Sequence, residues 1–181
     1  MNIEGIIKKI RGSYVSPVRG ITKVYPVKDA PVFALTVSAG KADDHEKRME
    51  ALKLLSGYNA TCSFVLTGES AADEEFVRAA MDQGFEFVNG GNSGRPFSSG
   101  KNLDPGVYPL SSWANVMVDT KMLDDHMKEN YGYTMVAGMP PYGVEYIASA
   151  ISAYDLYDHF DYQLIKGSLA IKPGEEAKLT S

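Results

Sequence analysis

The stretch FEFVNGGNSGRP, residues 85–96, decides how the rest of the chain is interpreted. Its start is a short apolar run, and the remainder contains three glycines, two asparagines, a serine and an arginine. An apolar run bounded by Gly and Asn predicts a strand that ends in a loop. In α/β sheets, the loops at the carboxyl ends of strands build the functional site. Taken alone, the loop is either a glycine-rich anion cradle or a flexible turn.

Length and composition fit one ordinary globular domain. The chain has 181 residues, of which 44% are hydrophobic and 23% are charged, as in typical folded domains. The formal net charge is -5 and no basic stripe is present, which argues against nucleic-acid binding. No apolar run is long enough to span a membrane. The single cysteine, Cys62, excludes an internal disulfide and lies in an apolar run, which predicts core packing.

The start of the sequence bears on localisation. Residues 1–4 lack the basic region and the apolar core of a signal peptide. We therefore expect either a cytoplasmic protein or a trimmed form of a secreted or surface protein.

Strands and helices alternate along the chain. Buried strands are predicted at residues 30–37, 60–66, 85–88, 133–137, 162–165 and 168–171. Helices are predicted over residues 3–10, from Asp43 or Asp44 to Gly57, from a Ser70–Asp73 capping pair to Gln83, from Ser111 or Ser112 to Glu129, and over 144–154 with Ile147 and Ile151 inward. This alternation implies βαβ units and a mainly parallel sheet. Residues 1–28 form an amphipathic helix and irregular lead-in, 29–172 the α/β domain, and 173–181 a charged tail that we expect to be disordered.

Four segments resemble the polysaccharide deacetylases of the NodB type. They are FALTVSAG (33–40), NATCSFVLTG (59–68), QGFEFVN with its following loop (83–96), and MPPYG (139–143). The family's corresponding strands read A-L-T-F-D-D-G, K-A-T-F-F-V-T-G, G-H-E-I-G-N-H-T-x-S-H-P and R-P-P-Y-G. The resemblance implies a distorted or incomplete (β/α) barrel, with mainly parallel strands, as the fold.

The resemblance also implies a chemistry, the metal-assisted removal of acetyl groups from N-acetylated sugars. In the family, an aspartate and two histidines hold a divalent metal, usually zinc, which polarises the acetyl carbonyl and activates a water. A second aspartate is the general base, a later histidine is the general acid, and a backbone amide near the tyrosine of the last segment holds the oxyanion.

This chain departs from the family at nearly every functional position. The general-base position is Ser38, the metal-binding aspartate position is Ala39, and the two histidine positions are Gly90 and Gly94. The arginine of the last segment is replaced by Met139. The family's two later motifs have no counterpart near the end of the chain.

A hydrolytic zinc site needs about three protein ligands and an open position, so we predict no metal cofactor. The glycine loop is then interpreted as the vacated half of a metal site.

The first functional hypothesis is therefore a catalytically inactive deacetylase-like protein that binds a carbohydrate or another polar ligand in its vestigial cleft. The candidate ligand-binding residues are hydroxyl, amide, cationic and aromatic side chains: Ser38, Asn89, Asn92, Ser93, Arg95, Trp113 and Tyr142, the last also at the vestigial oxyanion position. Core packing is the competing explanation for Trp113. The tyrosines of the last third either line a partner surface or are half-buried.

Two alternatives come from other classes. One is an active metal-dependent deacetylase or hydrolase with a rearranged site. The other is a structural or assembly module that forms a homo-oligomer, because missing barrel strands would leave sheet edges to be covered.

Few residues could rebuild a catalytic site. Asp43, Asp44 and His45 could hold a replacement metal, although aspartates at a helix start are more simply explained as caps. A nucleophile at Ser38 would need a base that the sequence does not place beside it. His126 is predicted on a solvated helix face, and His159 is either a displaced general acid or a surface loop residue.

Overall fold

The computed structural model describes residues 35–39, 44–99, 106–144, 146–148 and 151–165. The helix predicted at 3–10, the strand predicted at 168–171, the segments 1–28 and 173–181, and Asp43 lie outside the described residues. Within the described ranges, no helix has the length and apolar character needed to cross a membrane.

Strands and helices alternate through most of the described chain, as the sequence predicts. In chain order the elements are β1 (Thr36–Ser38), α1 (His45–Gly57), β2 (Ser63–Leu66), α2 (Gly68–Ala71), α3 (Glu74–Asp82), β3 (Glu86–Asn89), α4 (Trp113–Tyr131), β4 (Ala137–Gly138), a 3₁₀ turn (Pro141–Gly143), β5 (Tyr146–Ala148), β6 (Ile151–Ser152), α5 (Ala153–His159) and β7 (Gln163–Leu164).

Within the described residues, the main sheet contains five parallel strands in the order β1-β2-β3-β4-β7. Phe64 is in register with Phe87, and Asn89 is in register with Gly138. The α/β class with mainly parallel strands is thereby confirmed. Among the described strands β1 and β7 are not paired with each other. The described part of the sheet is therefore open, which is compatible with the predicted incomplete barrel. Because the strands are parallel, the carboxyl ends of β1, β2, β3 and β4 all lie at one edge.

The core is built from apolar side chains of the sheet and of the helices around it. Phe64 contacts the rings of Phe76 and Phe85 edge-on, with centroids 5.1 and 5.5 Å apart. Cys62 is buried, and burial raises the pKa of its thiol to about 11. Its predicted place in the core is confirmed, because a thiol held in this way behaves as a small apolar side chain.

The single helix predicted from Ser70 to Gln83 is wrong. Thr67 and Ser70 form a capping box that begins α2, and this helix ends at Ala71. The carboxylate of Asp73 then accepts a hydrogen bond from the N–H of Phe76 and begins α3. Ser70 and Asp73 thus cap two separate helices, because each satisfies free N–H groups of its own first turn.

The helix predicted over 144–154 is also wrong. β5 and β6 form an antiparallel pair in its place, and Ile147 is buried from β5. α5 begins only at Ala153, where Ser152 and Asp155 form a capping box. Residues 144–147 contain β-branched and aromatic side chains, which favour strands over helices.

Two predictions about the ends of helices and strands are corrected by the structure. Asp44 stands at the start of α1 but makes no capping hydrogen bond, and its carboxylate pairs with Lys47 at 2.7 Å. The strand predicted at 133–137 is paired only from Ala137. Tyr133 contributes in another way, since its hydroxyl accepts a hydrogen bond from the N–H of Phe87 at 3.0 Å.

Candidate functional site

The loop after β3 is shaped by the side chain of Asn89, which is fully buried. Its Oδ1 accepts a hydrogen bond from the N–H of Gly91 at 2.9 Å, and its Nδ2 donates to the carbonyl of Thr120 at 3.0 Å. Both ends of the amide are therefore used to fold the loop and to attach it to α4. This is a positioning role, and a direct ligand contact by Asn89 stays a prediction.

Asp119 on α4 is the second attachment of this loop, and the sequence analysis missed it. Its Oδ1 accepts from the N–H of Ser93 at 3.0 Å, and its carbonyl accepts from the N–H of Asn92 at 3.2 Å. The residue is only 8% exposed. One signal could have found it, because Asp119 shares a helical face with the buried Val116 and Leu123.

The three positions that the family resemblance assigns to metal ligands, Ala39, Gly90 and Gly94, hold no ligand atoms. Ala39 is buried, and its N–H donates to the carbonyl of Val65 at 3.0 Å. Gly94 has φ +62°, a left-handed conformation, and a Cβ there would lie 3.0 Å from the Thr67 methyl group. Side chains are disfavoured at such φ values.

Gly90 has the least room of the three. A Cβ on Gly90 would lie 2.7 Å from the carbonyl oxygen of Leu66 and 2.9 Å from Cγ1 of Val65. The same carbonyl of Leu66 accepts the N–H of Gly90 at 2.9 Å. A histidine therefore cannot project from this position unless the backbones of β2 and the loop separate.

The 3₁₀ turn at Pro141–Gly143 meets the glycine loop. The N–H of Met139 donates to the carbonyl of Asn89 at 3.0 Å, and Pro141 lies beside Gly91. Tyr142 adopts φ +57°, which is unusual for a bulky residue, and its side chain is 55% exposed. Backbone strain of this kind is found most often at functional sites.

The other predicted ligand-binding residues occupy different settings. Ser38 is exposed at the end of β1, and Ser93 is exposed in the loop. Arg95 donates from Nε to the carbonyl of Tyr108 at 2.6 Å and from Nη2 to that of Pro109 at 3.0 Å, so its guanidinium fastens the following loop.

Two predicted residues lie at the border of the site. Asn92 is half-buried, and its carbonyl accepts the N–H of Gly68 at 2.8 Å. Trp113 is half-buried and packs against the core at the start of α4, which favours the packing explanation. The structure thus joins the segments 89–95 and 139–143 and adds Asp119 between them.

A second polar cluster lies at the same sheet edge. Asp73 accepts hydrogen bonds from Nδ1 of His45 at 2.8 Å and from Nη2 of Arg48 at 2.7 Å. Arg48 is 4% exposed and also donates from Nη1 to the carbonyl of Ala39 at 3.0 Å. Burial alone would raise the pKa of Asp73, but the hydrogen bonds from Arg48 and His45 outweigh it, so that pKa lies below its ordinary value.

This cluster bears on the predicted replacement metal site. His45 is half-exposed, and its Nε2 faces Oε2 of Glu75 at 3.8 Å. Among the described residues, no group of three or more His, Cys, Asp or Glu side chains is arranged to hold a metal. Around His45 the cluster joins α1 to the start of α3.

The other two histidines differ from their predicted surroundings. His126 is half-buried, and its Nε2 lies 3.1 Å from the carbonyl of Ala71, which also accepts from the Tyr131 hydroxyl at 2.7 Å. The predicted solvated face is therefore wrong, because α4 satisfies the free carbonyl at the end of α2. His159 lies in the last turn of α5 rather than in a loop, and it is exposed.

Two tyrosines of the last third are buried next to the site. The ring of Tyr157 lies against Gly138, where a Cβ would be 2.3 Å from its Cε1. Tyr162 donates from its hydroxyl to Oδ1 of Asp124 at 2.5 Å. Burial raises the pKa of both phenols well above the ordinary range, and for Tyr157 the neighbouring Tyr162 and Asp119 add to the effect. These two residues support the half-buried explanation of the tyrosines rather than the partner surface.

No protein-family model matches the chain, and no curated protein matches its sequence. Solved structures do match its fold. PdaC, a peptidoglycan deacetylase from Bacillus subtilis solved as a mutant, aligns with a TM-score of 0.56 and 19% identity over 76% of this chain and 59% of its own. BA3943, a CE4 family pseudoenzyme from Bacillus anthracis, aligns with a TM-score of 0.52 and 15% identity over 72% of this chain and 41% of its own.

A BA3943 mutant with restored enzymatic activity aligns with a TM-score of 0.54 and 16% identity over 74% of this chain and 43% of its own. The chain thus spans less than two thirds of each of these proteins, and identities this low establish a fold rather than an activity. The chain has the fold of the CE4, NodB-type deacetylases, as its four sequence segments predicted.

Proposed function

We propose that this protein is a catalytically inactive deacetylase-like protein whose cleft binds a carbohydrate or another polar ligand. The observation that carries the proposal is the packing at Gly90. The position that resembles a metal-binding histidine lacks the ligand, and a Cβ there would lie 2.7 Å from a backbone carbonyl oxygen. The loop is therefore folded in a form that excludes that ligand.

The remaining positions support loss of the reaction. Ala39 offers no ligand atom and Gly94 none, so a zinc ion would lack the roughly three protein ligands that hydrolytic sites use. The hydroxyl of Ser38 cannot accept a proton near neutral pH as a carboxylate does. The reaction would therefore lack both its Lewis acid and its base.

The surface of the cleft supports a binding role. Tyr142 presents an exposed aromatic ring from a strained backbone conformation, and Ser93 and Ser38 present hydroxyls near the same sheet edge. Aromatic rings with neighbouring hydroxyl and amide groups suit the apolar and polar sides of a sugar. The similar structures include a CE4 pseudoenzyme and a peptidoglycan deacetylase, which supports an inactive relative that keeps a cleft.

The first experiment tests catalysis. Purified protein is incubated with zinc or cobalt and with N-acetylated oligosaccharides, and released acetate is measured beside an active deacetylase. We expect no acetate above background and no zinc retained after dialysis. Acetate release that a chelator abolishes would overturn the proposal.

The second experiment tests binding. Chitooligosaccharides and peptidoglycan fragments are titrated while amide NMR signals are followed, with Tyr142→Ala as the test variant and Tyr58→Ala as the control. Tyr58 is also exposed and follows α1 at the opposite sheet edge. We expect shifts in the loop that Tyr142→Ala removes and Tyr58→Ala leaves unchanged. Equal behaviour of the two variants, or no shift with any oligosaccharide, would refute the binding role.

The second candidate function is a hydrolase with a rearranged site. It is favoured by one observation, the imidazole of His45 held by Asp73 at the edge where β1 ends. A carboxylate that orients a histidine is the arrangement of a general base. If this candidate is correct, weak ester or amide hydrolysis will be lost in His45→Ala and retained in His159→Ala.

A homo-oligomer is a further proposal for the open sheet. β1 stands at an edge of the described sheet, and Leu35 beside it is half-exposed. Exposed edges of this kind invite pairing with another chain. Light scattering at high concentration would show a dimer, and a strictly monomeric species would count against the proposal.

A further inference from the structure

Asp119 contains an unpaired carboxylate oxygen. Its Oδ2 is buried and has no hydrogen-bond partner, and no other buried side-chain nitrogen or oxygen of the described residues is in that state. None of the ion pairs among the described residues includes Asp119. A buried carboxylate is strongly disfavoured unless a donor or a positive charge accompanies it.

The position of this oxygen is fixed by its surroundings. Ser93 donates its N–H to Oδ1 at 3.0 Å, which sets the plane of the carboxylate. Oδ2 lies 2.6 Å from the place of a Cβ on Gly91, and Pro141 Cγ lies 3.9 Å from the same place. Oδ2 therefore lies buried where the glycine loop meets the 3₁₀ turn.

The surrounding polar groups limit what can bind there. The carbonyls of Asn89 and Asn92 accept the N–H groups of Met139 and Gly68. Tight zinc binding needs several His, Cys, Asp or Glu ligands, and the described residues offer no such group. A buried carboxylate oxygen without a donor suits a small monovalent cation or a primary ammonium group.

We propose that Asp119 Oδ2 is a binding site for a small monovalent cation, either a free ion or the ammonium group of an amino sugar. The bound cation would supply the positive charge that a metal supplies in the family at the positions of Ala39, Gly90 and Gly94. The amino-sugar form rests on the proposed ligand-binding function, whereas the free-ion form does not.

The test compares the melting temperature of the full chain in ammonium, potassium and tetramethylammonium chloride at equal ionic strength. Tetramethylammonium is too large for the site and balances the salt. At a concentration of about five times its dissociation constant, ammonium or potassium should raise the melting temperature by about 3 °C relative to tetramethylammonium. Asp119→Asn should lose this rise, because it removes the charge while an amide oxygen can still accept from Ser93. Asp125→Asn is the matched control, since Asp125 lies on the same helix and is partly exposed.

A second arm identifies the source of the ammonium. Glucosamine is compared with N-acetylglucosamine, which lacks the charge. A shift with glucosamine alone assigns the site to an amino sugar, and a shift with the free ions assigns it to a bare cation.

A measurement on the unaltered protein covers the case in which Asp119→Asn does not fold. Ammonium and glucosamine are titrated separately while the amide signals of Gly91 and Ser93 are followed. We expect the signals of both residues to move. The proposal is overturned if neither titrant moves these signals, if all salts give one melting temperature, or if the salt effect persists in Asp119→Asn. Acetate release is measured separately, so a failed cation test and a failed inactivity test are distinguishable.

Discussion

The substitution Gly90→Ala tests directly whether the loop is folded around the absence of a side chain. The new methyl group would stand 2.7 Å from the carbonyl oxygen of Leu66 and 2.9 Å from Cγ1 of Val65. Both distances are below ordinary van der Waals contact. One of the two neighbours is backbone, so the contact cannot be relieved by rotating a side chain.

The magnitude follows from two opposing terms. Overpacking of a buried methyl group costs about 1–3 kcal/mol. A less flexible unfolded chain returns about 0.4–1 kcal/mol when alanine replaces glycine. We therefore expect Gly90→Ala to lower the free energy of unfolding by about 1–2 kcal/mol. For a chain of this length the melting temperature would fall by about 2–8 °C.

Urea unfolding followed by circular dichroism measures the change, with two glycine controls. Gly57→Ala at the end of α1 meets no atom within 4 Å and has no left-handed φ, so it should be neutral or slightly stabilising. Gly132→Ala also has free space but has φ +65°, so it isolates the cost of the left-handed conformation. Gly90→Ala should be destabilised by crowding alone.

One result would refute this reasoning. If Gly90→Ala were as stable as Gly57→Ala, the loop would have room for a side chain at Gly90. A histidine could then be restored there, and the steric argument for an inactive site would fail.

Three further predictions concern other parts of the molecule. Asp73→Asn should lower the free energy of unfolding, which urea unfolding measures from pH 7 to pH 3. The loss should be full above about pH 4 and should vanish as the pH falls through the lowered native pKa of Asp73, because protonation removes the same interaction. A difference that does not depend on pH would contradict this. Tyr133→Phe should cost about 1–3 kcal/mol in the same assay, because the N–H of Phe87 loses its acceptor, and an unchanged midpoint would show that water replaces the hydroxyl. Cys62 should react with a thiol reagent at pH 8 only after unfolding, since a pKa of about 11 leaves roughly one thiolate in a thousand; rapid labelling of the native protein would contradict its burial.

Much of the fold could be predicted because the buried strands are nearly continuous apolar runs with glycine or polar residues at their ends. β2 and β3 lie where residues 60–66 and 85–88 predict them. One of the two wrong helix predictions concerns local capping competition. Asp73 was expected to close a box with Ser70, yet it begins a new helix, and propensity alone does not decide which N–H groups a carboxylate serves.

The candidate site was predictable in position but not in content. The glycine loop and the Pro-Pro-Tyr-Gly turn meet as their order at the strand ends implies. Asp119 could not be assigned from a motif, because its role depends on how closely α4 approaches the loop. The burial of His126 depends likewise on the distant carbonyl of Ala71, and sequence separation hides such contacts.

The attachment of the glycine loop to α4 has a consequence for motion. The amides of Gly91, Asn92 and Ser93 donate to Asn89 and Asp119, although the loop belongs to no helix or strand. Such amides exchange with solvent only when their acceptors move away. The loop should therefore exchange its hydrogens together with the middle of α4 as one cooperative unit, at the slow rate of a packed helix rather than the fast rate of a surface loop.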